Sequence, residues 1–304
     1  MIRADPEMEK QTMIASLRGV VAAIATPVTP ERAPDHARFL KLARYLLANG
    51  CDALNVLGTT GEATSFSLGQ RKDLMNLAAR ELPRERMMVG TGAASLGDAT
   101  DLTRHAASLG FGAALVLPPF YYKGVADDGV FAYVEAIVAA TREPAIPVFL
   151  YHYPALSGVP YTPELVGRLI EAFPTRVRGV KDSSGDLAYE RLLAERHPGF
   201  AVYPANEATL LEGRDGKFAG CISATTNLNA DLAQRAWKAG DAAALETAVK
   251  IRKLFDGKPL VAGVKSALSH IHGDAALATP MPPLTAWSAE AARELGRDID
   301  AARG

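Results

Sequence analysis

Two lysines in this chain close short apolar triplets, Gly179-Val180-Lys181 and Gly263-Val264-Lys265. A lysine carried into an apolar barrel mouth loses hydration, which disfavours the ammonium and frees an amine able to attack a carbonyl carbon. The chemistry implied for Lys181 is an imine with an oxo substrate; the bland alternative is a strand-end lysine whose head reaches water. Tyr151 closes another apolar run 30 residues earlier. A phenol beside an iminium can relay protons, because the positive charge favours its phenolate. An aromatic cap on the barrel is the alternative. The third feature is Gly58-Thr59-Thr60-Gly61-Glu62. Its glycines permit a tight turn whose N–H groups and hydroxyls suit a carboxylate, unless it is only a threonine-capped turn. Together the three features fit a 2-oxo acid held at its carboxylate and attacked at C2. Tyr121 and Tyr122 in Phe120-Tyr121-Tyr122-Lys123 either extend the relay or serve packing or an oligomer contact.

The elements that must position these residues repeat along the chain. Eight β-rich runs occur: Gly19–Ala25, Ala53–Leu57, Met87–Thr91, Ala113–Leu117, Pro147–Tyr151, Val177–Lys181, Ala201–Pro204 and Gly220–Ala224. Most are apolar throughout, as strands buried on both faces should be. Amphipathic stretches such as Asp35–Ala48, Leu68–Glu81, Ala99–Leu109, Gly129–Thr141, Thr162–Ala172 and Ala230–Lys238 separate them. The alternation predicts a (β/α)8 TIM barrel over residues 18–240, an N-terminal extension over 1–17 and a C-terminal helical region over 241–304. An open doubly wound sheet fits less well, because no Gly-x-Gly-x-x-Gly turn follows the first run. In a barrel, chemistry belongs at the C-terminal strand ends, where Lys181, Tyr151 and the Gly58–Glu62 turn all fall. Lys265 is the internal rival to Lys181, but it lies in the helical tail beyond the eighth run.

The 304 residues are 48% hydrophobic and 22% charged, an ordinary globular composition. Thirty-three basic against 34 acidic residues give a net charge of -1, which supplies no general field for nucleic acid or an anionic membrane. The longest apolar run, Gly110 to Phe120, contains two prolines and is too short to cross a bilayer. Cys51 and Cys221 offer neither a disulfide framework nor a paired-thiol metal site, and a reducing cytoplasm fits them best. His270-Ile271-His272 is the only close histidine pair and has no carboxylate or cysteine at ligand spacing.

From about Leu17 to Trp287 the chain resembles the dihydrodipicolinate synthase/N-acetylneuraminate lyase family of pyruvate-dependent class I lyases, its motifs standing in the family order. The resemblance implies that Lys181 forms the Schiff base and Tyr151 relays protons. It assigns Thr59 and Thr60 to the substrate carboxylate, with Thr60 also bonding Tyr151. Tyr122 matches a tyrosine that crosses from a neighbouring subunit to complete the relay, which implies a homotetramer built as a dimer of dimers. Ala205 and Ile222 stand beside the pyruvyl group.

Synthases of the family usually carry an arginine a few residues after the relay tyrosine; here that position holds Leu156. Pro-Ala-Leu-Ser-Gly, the Phe-Tyr-Tyr loop and Ser184-Gly185-Asp186 resemble the sialic acid lyase and 2-keto-3-deoxy sugar acid aldolase side. There, Ser183, Asn206 and Glu207 occupy the positions that bind the polyol tail, although Asn206 replaces one acid and Ala224 a serine. His152 replaces a common asparagine; it either adds a further polar contact or, as strand alternation slightly favours, points outward.

The reaction implied is reversible cleavage of a 4-hydroxy-2-oxo acid to pyruvate and an aldehyde. The iminium is itself the electron sink, so no metal or diffusible cofactor is called for. Rivals are dehydration of a 2-keto-3-deoxy acid, 4-hydroxy-tetrahydrodipicolinate synthesis, and a non-catalytic 2-oxo acid sensor.

Overall fold

The computed structural model describes residues 16–304. The eight runs form β1 (Gly19–Ala23), β2 (Ala53–Val56), β3 (Met87–Gly90), β4 (Ala113–Val116), β5 (Val148–His152), β6 (Val177–Asp182), β7 (Ala201–Pro204) and β8 (Gly220–Ser223). Each end lies within two residues of its expected place. All ladders are parallel, in the order β7-β6-β5-β4-β3-β2-β1-β8. The remaining seam is crossed by a hydrogen bond from the Ala219 N–H to the Val202 carbonyl at 2.9 Å. The result is the expected (β/α)8 barrel.

Around it lie α1 (His36–Ala48), α2 (Leu68–Glu81), α3 (Leu96–Leu109), α4 (Asp127–Ala140), α5 (Pro154–Ser157), α6 (Pro163–Ala172), α7 (Leu187–Arg196), α8 (Leu210–Arg214) and α9 (Thr226–Ala239). Side-chain caps define several starts. Ser67 and Gln70 form a reciprocal capping box on α2, and Thr162 caps α6 just before Pro163. The tail supplies α10 (Ala242–Lys253), α11 (Leu260–His272) and α12 (Ala289–Arg303). These helices share the barrel's own core: Ile251, Val264, Leu268, Leu295 and Ile299 belong to the same buried cluster as Leu42 and Leu74. Arg303 ties α12 to α9 through Asp231 at 3.0 Å.

The barrel interior is filled by Phe149, Tyr151, Tyr203, Ile222 and smaller neighbours. Gly179 leaves room for this packing, since a Cβ there would lie 2.3 Å from the Phe149 ring and 2.5 Å from the Ala201 carbonyl. At the bottom, the Tyr203 hydroxyl donates to the Leu17 carbonyl at 2.9 Å. Leu17 is fully buried, so it plugs the barrel instead of ending a loose extension. Residues 1–15 of the expected extension lie outside the described residues.

Candidate active site

The barrel register brings the two principal candidates together. Lys181 on β6 is the direct ladder partner of Tyr151 on β5, so their side chains leave the same face of the sheet. Both are nearly buried, at 4% exposure. The Lys181 Nζ lies 4.4 Å from the centre of the Tyr151 ring, and the ring face is the electron-rich side that attracts an ammonium. The Tyr151 hydroxyl is 3.0 Å from Thr59 Oγ1. Tyr153 stands beside Tyr151 at 5.9 Å between ring centres. Burial, helped by the nearby Tyr151, holds the Tyr153 phenol above its usual range. These groups border a cavity of about 460 Å³ at the C-terminal mouth of the barrel.

The turn after β2 is built for rigidity. The Glu62 N–H closes on the Thr59 carbonyl at 3.0 Å, and the Ala63 N–H on the Gly58 carbonyl at 3.3 Å. Leu57 and Glu62 bracket it in left-handed conformations at φ 55° and 54°, which cost non-glycine residues energy unless the surroundings hold them. Glu62 is held. It pairs with Lys265, and its Oε2 accepts the Met281 N–H at 2.6 Å. Thr59 and Thr60 both border the cavity. Thr59, not Thr60, makes the bond to Tyr151 that the resemblance gave to Thr60. Successive residues of a tight turn aim their side chains differently, and only Thr59 faces both Tyr151 and a smaller cavity of about 260 Å³ beside it.

Ser183, Ala205 and Ile222 also line the main cavity, as does Ala224. Asn206 and Glu207 do not. Asn206 is exposed and caps a short turn by accepting the Ala208 N–H at 3.0 Å. Glu207 is fully buried, its Oε1 accepting the Thr225 hydroxyl at 2.6 Å. The structure therefore brings only Ser183 of the expected polyol contacts to the cavity. Tyr122 reaches neither cavity of its own chain; it is 71% exposed and meets Tyr121 edge to face at 5.2 Å. Leu156 is 57% exposed and lies on the rim of both cavities.

Sequence reasoning missed Arg252 and Lys258, which line the cavity from the tail. No local signal marks them, because a charged residue on an outer helix, as Arg252 is, or in the loop that follows it, as Lys258 is, reads as solvated surface.

The outer faces of the same strands hold a different constellation. His152 points outward, as strand alternation requires, and stacks on Tyr189 at 4.4 Å with its Nδ1 accepting the Tyr161 N–H at 3.0 Å. Asp182 is fully buried there and accepts from the Ser184 N–H and hydroxyl at 3.1 and 2.8 Å. Asp186 caps α7 through the Ala188 and Tyr189 N–H groups. The Ser184-Gly185-Asp186 segment thus fastens a loop. Burial, reinforced by Asp182, pushes the Glu190 carboxyl up to about 9.

Lys265, the internal rival, is 1% exposed and lies on α11. It is engaged with Glu62 and with the Thr279 carbonyl at 2.9 Å. His270 and His272 diverge, one to Asp300 at 3.0 Å and the other against the Tyr45 ring. Among the described residues, no group of three His, Cys, Asp or Glu side chains is placed to hold a metal ion. Nor is any helix there long and apolar enough to cross a membrane.

Comparison with known proteins places this geometry. A model of the dihydrodipicolinate synthetase family matches residues 16–302. An uncharacterized DapA-like lyase of Chloroflexus aurantiacus is 31% identical over 280 residues, covering 90% of this chain and 93% of that one. An N-acetylneuraminate lyase of Escherichia coli is 30% identical over 244 residues, 79% of this chain and 80% of its own. Among solved structures, dihydrodipicolinate synthase from Agrobacterium tumefaciens superposes with a TM-score of 0.85 at 31% identity, over 93% of this chain and 98% of that one.

Proposed function

Because the chain belongs to the dihydrodipicolinate synthetase family, one of pyruvate-dependent carbon–carbon lyases, we propose that it reversibly cleaves a 4-hydroxy-2-oxo acid to pyruvate and an aldehyde. The observation that carries this reading is the pairing of Lys181 with Tyr151 in register on adjacent strands, at one cavity with Thr59. Thr59 and Thr60 take the substrate carboxylate, and Ala205 and Ile222 leave room for the pyruvyl carbons. Lys181 attacks C2, water leaves, and a protonated imine results. The Tyr151 oxygen, having given its own proton to the hydroxyl that left C2 as water, takes the C4 hydroxyl proton as the C3–C4 bond breaks; the bonding pair flows into the iminium and gives an enamine. The aldehyde departs, a proton returns to C3, and water releases pyruvate and the free lysine. Atoms and electrons balance without a further reagent.

Leu156 supplies no charge where family synthases usually carry arginine, which favours cleavage over 4-hydroxy-tetrahydrodipicolinate synthesis. Ser183 is the hydroxyl placed to read the distal part of the substrate. Asn206 and Glu207 act there only if the turn they occupy rearranges. Tyr122 from a neighbouring copy completes the relay within a homotetramer; its exposure and the apolar side cavity beside Tyr151 support this. The buried free thiols Cys51 and Cys221 are in keeping with a cytoplasmic setting.

Borohydride reduction with pyruvate, followed by peptide mapping, tests the reading. An adduct on Lys181 and formation of an aldehyde from a panel of 2-keto-3-deoxy acids are the expected results. A product that keeps its carbon skeleton would mean dehydration, and pyruvate binding without turnover would mean a sensor.

A further inference from the structure

Arg252 is the second-last residue of α10, outside the barrel repeat, yet it lines the cavity that holds Lys181. It reaches the rim at β7 and β8, where its Nη1 lies 3.4 Å from both the Ala205 carbonyl and the Ser223 hydroxyl. Those contacts are long and use one of the nitrogens of a fork that offers five donors. Among the described residues the guanidinium forms no ion pair. A half-buried arginine whose planar fork is unspent, in a concave site, is shaped for a bidentate oxyanion.

The charge balance of the cavity points the same way. Its lining holds the basic residues Lys181, Arg252 and Lys258, and Glu62 is its one acid. Glu62 is already committed to Lys265 and the Met281 N–H. Lys258 already lies over the Trp287 ring at 5.5 Å, so one substrate carboxylate at Thr59 and Thr60, after β2, leaves Arg252 on the β7–β8 side without a counter-charge in the cavity. The rim near Tyr151, where family synthases usually carry an arginine, is occupied by Leu156.

Resting on the lyase reading above, we propose that Arg252 determines specificity by binding a second anionic group at the distal end of the substrate. The substrate class is then a 2-oxo acid with a terminal carboxylate or phosphate on the part released as aldehyde. Neutral polyols are the poorer ligands. Ser183 is left to read a hydroxyl between the two anionic ends.

Two non-cleavable ligands of equal chain length test this, 2-oxoglutarate and 2-oxopentanoate, which differ in the distal carboxylate. Their competition against pyruvate for borohydride trapping, and their direct calorimetric titration, are compared in wild type, Arg252→Gln and Arg252→Lys. Wild type is expected to favour 2-oxoglutarate by roughly 10- to 100-fold, the range of a hydrogen-bonded charge pair. Arg252→Gln collapses that ratio towards one, and Arg252→Lys keeps part of it. The ratio within each variant is the readout, so a general loss of binding leaves the comparison intact. Aldol synthesis from pyruvate with glyceraldehyde 3-phosphate against glyceraldehyde, and with succinate semialdehyde against butanal, separates a phosphate from a carboxylate partner. Equal affinity for 2-oxoglutarate and 2-oxopentanoate in wild type, or a ratio untouched by Arg252→Gln, overturns the assignment. Absence of any pyruvate adduct overturns the lyase reading instead, while the titration still reports on Arg252.

Discussion

Lys181 and Lys265 follow the same two residues, glycine and valine, and are buried to nearly the same degree, yet they have opposite surroundings. Lys265 sits on a helix with a carboxylate and a carbonyl fixed around its ammonium. Lys181 sits at a strand end beside a tyrosine ring and an open cavity, with no carboxylate paired to it among the described residues. Desolvation alone does not make a lysine reactive; what matters is whether the protein supplies the counter-charge or leaves that place to a substrate. The two are also linked, since Glu62, the partner of Lys265, ends the turn that carries Thr59 and Thr60.

The largest expected effect separates them outright. Lys181→Ala removes the amine that lies over the Tyr151 ring, so the pyruvate adduct and turnover both vanish while the urea midpoint stays close to wild type. An adduct that persists in this variant on Lys265 would reverse the roles of the two lysines. Tyr151→Phe comes next: imine trapping with pyruvate survives, and the rate of aldol cleavage falls by roughly 10²- to 10⁴-fold, as expected for a lost proton relay. Single-turnover kinetics on the pre-formed imine check this. A rate within a factor of two of wild type would place the relay elsewhere.

Lys265→Met attacks the other half of the comparison. It strands the Glu62 carboxylate in the interior, where breaking a buried pair costs about 3–5 kcal/mol. Urea denaturation is expected to show that loss, with Glu62→Gln in the same chain restoring a substantial part of it. Should Lys265→Met leave the urea midpoint unchanged, the pair would not be what holds the turn.

These expectations divide along the line between what the sequence reveals and what it conceals. Eight apolar runs located the strands, because a parallel strand buried on both faces leaves a continuous hydrophobic trace. Their spacing placed Lys181 and Tyr151 at one mouth. Helix α7 left a weaker trace, for its buried face carries Glu190 beside Tyr189 and Leu193 and interrupts the apolar stripe. The partner of Tyr151 was misplaced by one residue within Thr59-Thr60, since the direction of side chains in a tight turn depends on dihedral angles that composition does not encode. The resemblance put Asn206 and Glu207 at the cavity, but Asn206 caps its own short turn after β7 and Glu207 is drawn to Thr225, beyond β8. The contacts of Arg252 with Ser223 and Ala205 span 29 and 47 residues of chain, the Glu62–Lys265 pair spans about 200, and no local pattern announces such contacts.

The smallest expected effect concerns the outer face of β6, where the residue after Lys181 shares a buried site with another acid. Glu190 titrates near 9 in the folded protein and near 4.5 when unfolded, because burial and the neighbouring Asp182 both oppose its charge. Between those values the folded state holds a proton that the unfolded state has released, so stability falls as pH rises, by up to about 1.4 kcal/mol per unit. Burial lowers His152 below its ordinary value of 6.5, which gives the opposite slope, but only up to that pH. Above it Glu190 acts alone within this cluster. Urea midpoints measured from pH 7 to pH 8.5 are expected to decline in wild type and to decline less in Glu190→Gln, which keeps a neutral side chain of the same shape. Identical slopes would mean that Glu190 is already ionised in the folded state, and that burial behind the reactive lysine does not hold its proton.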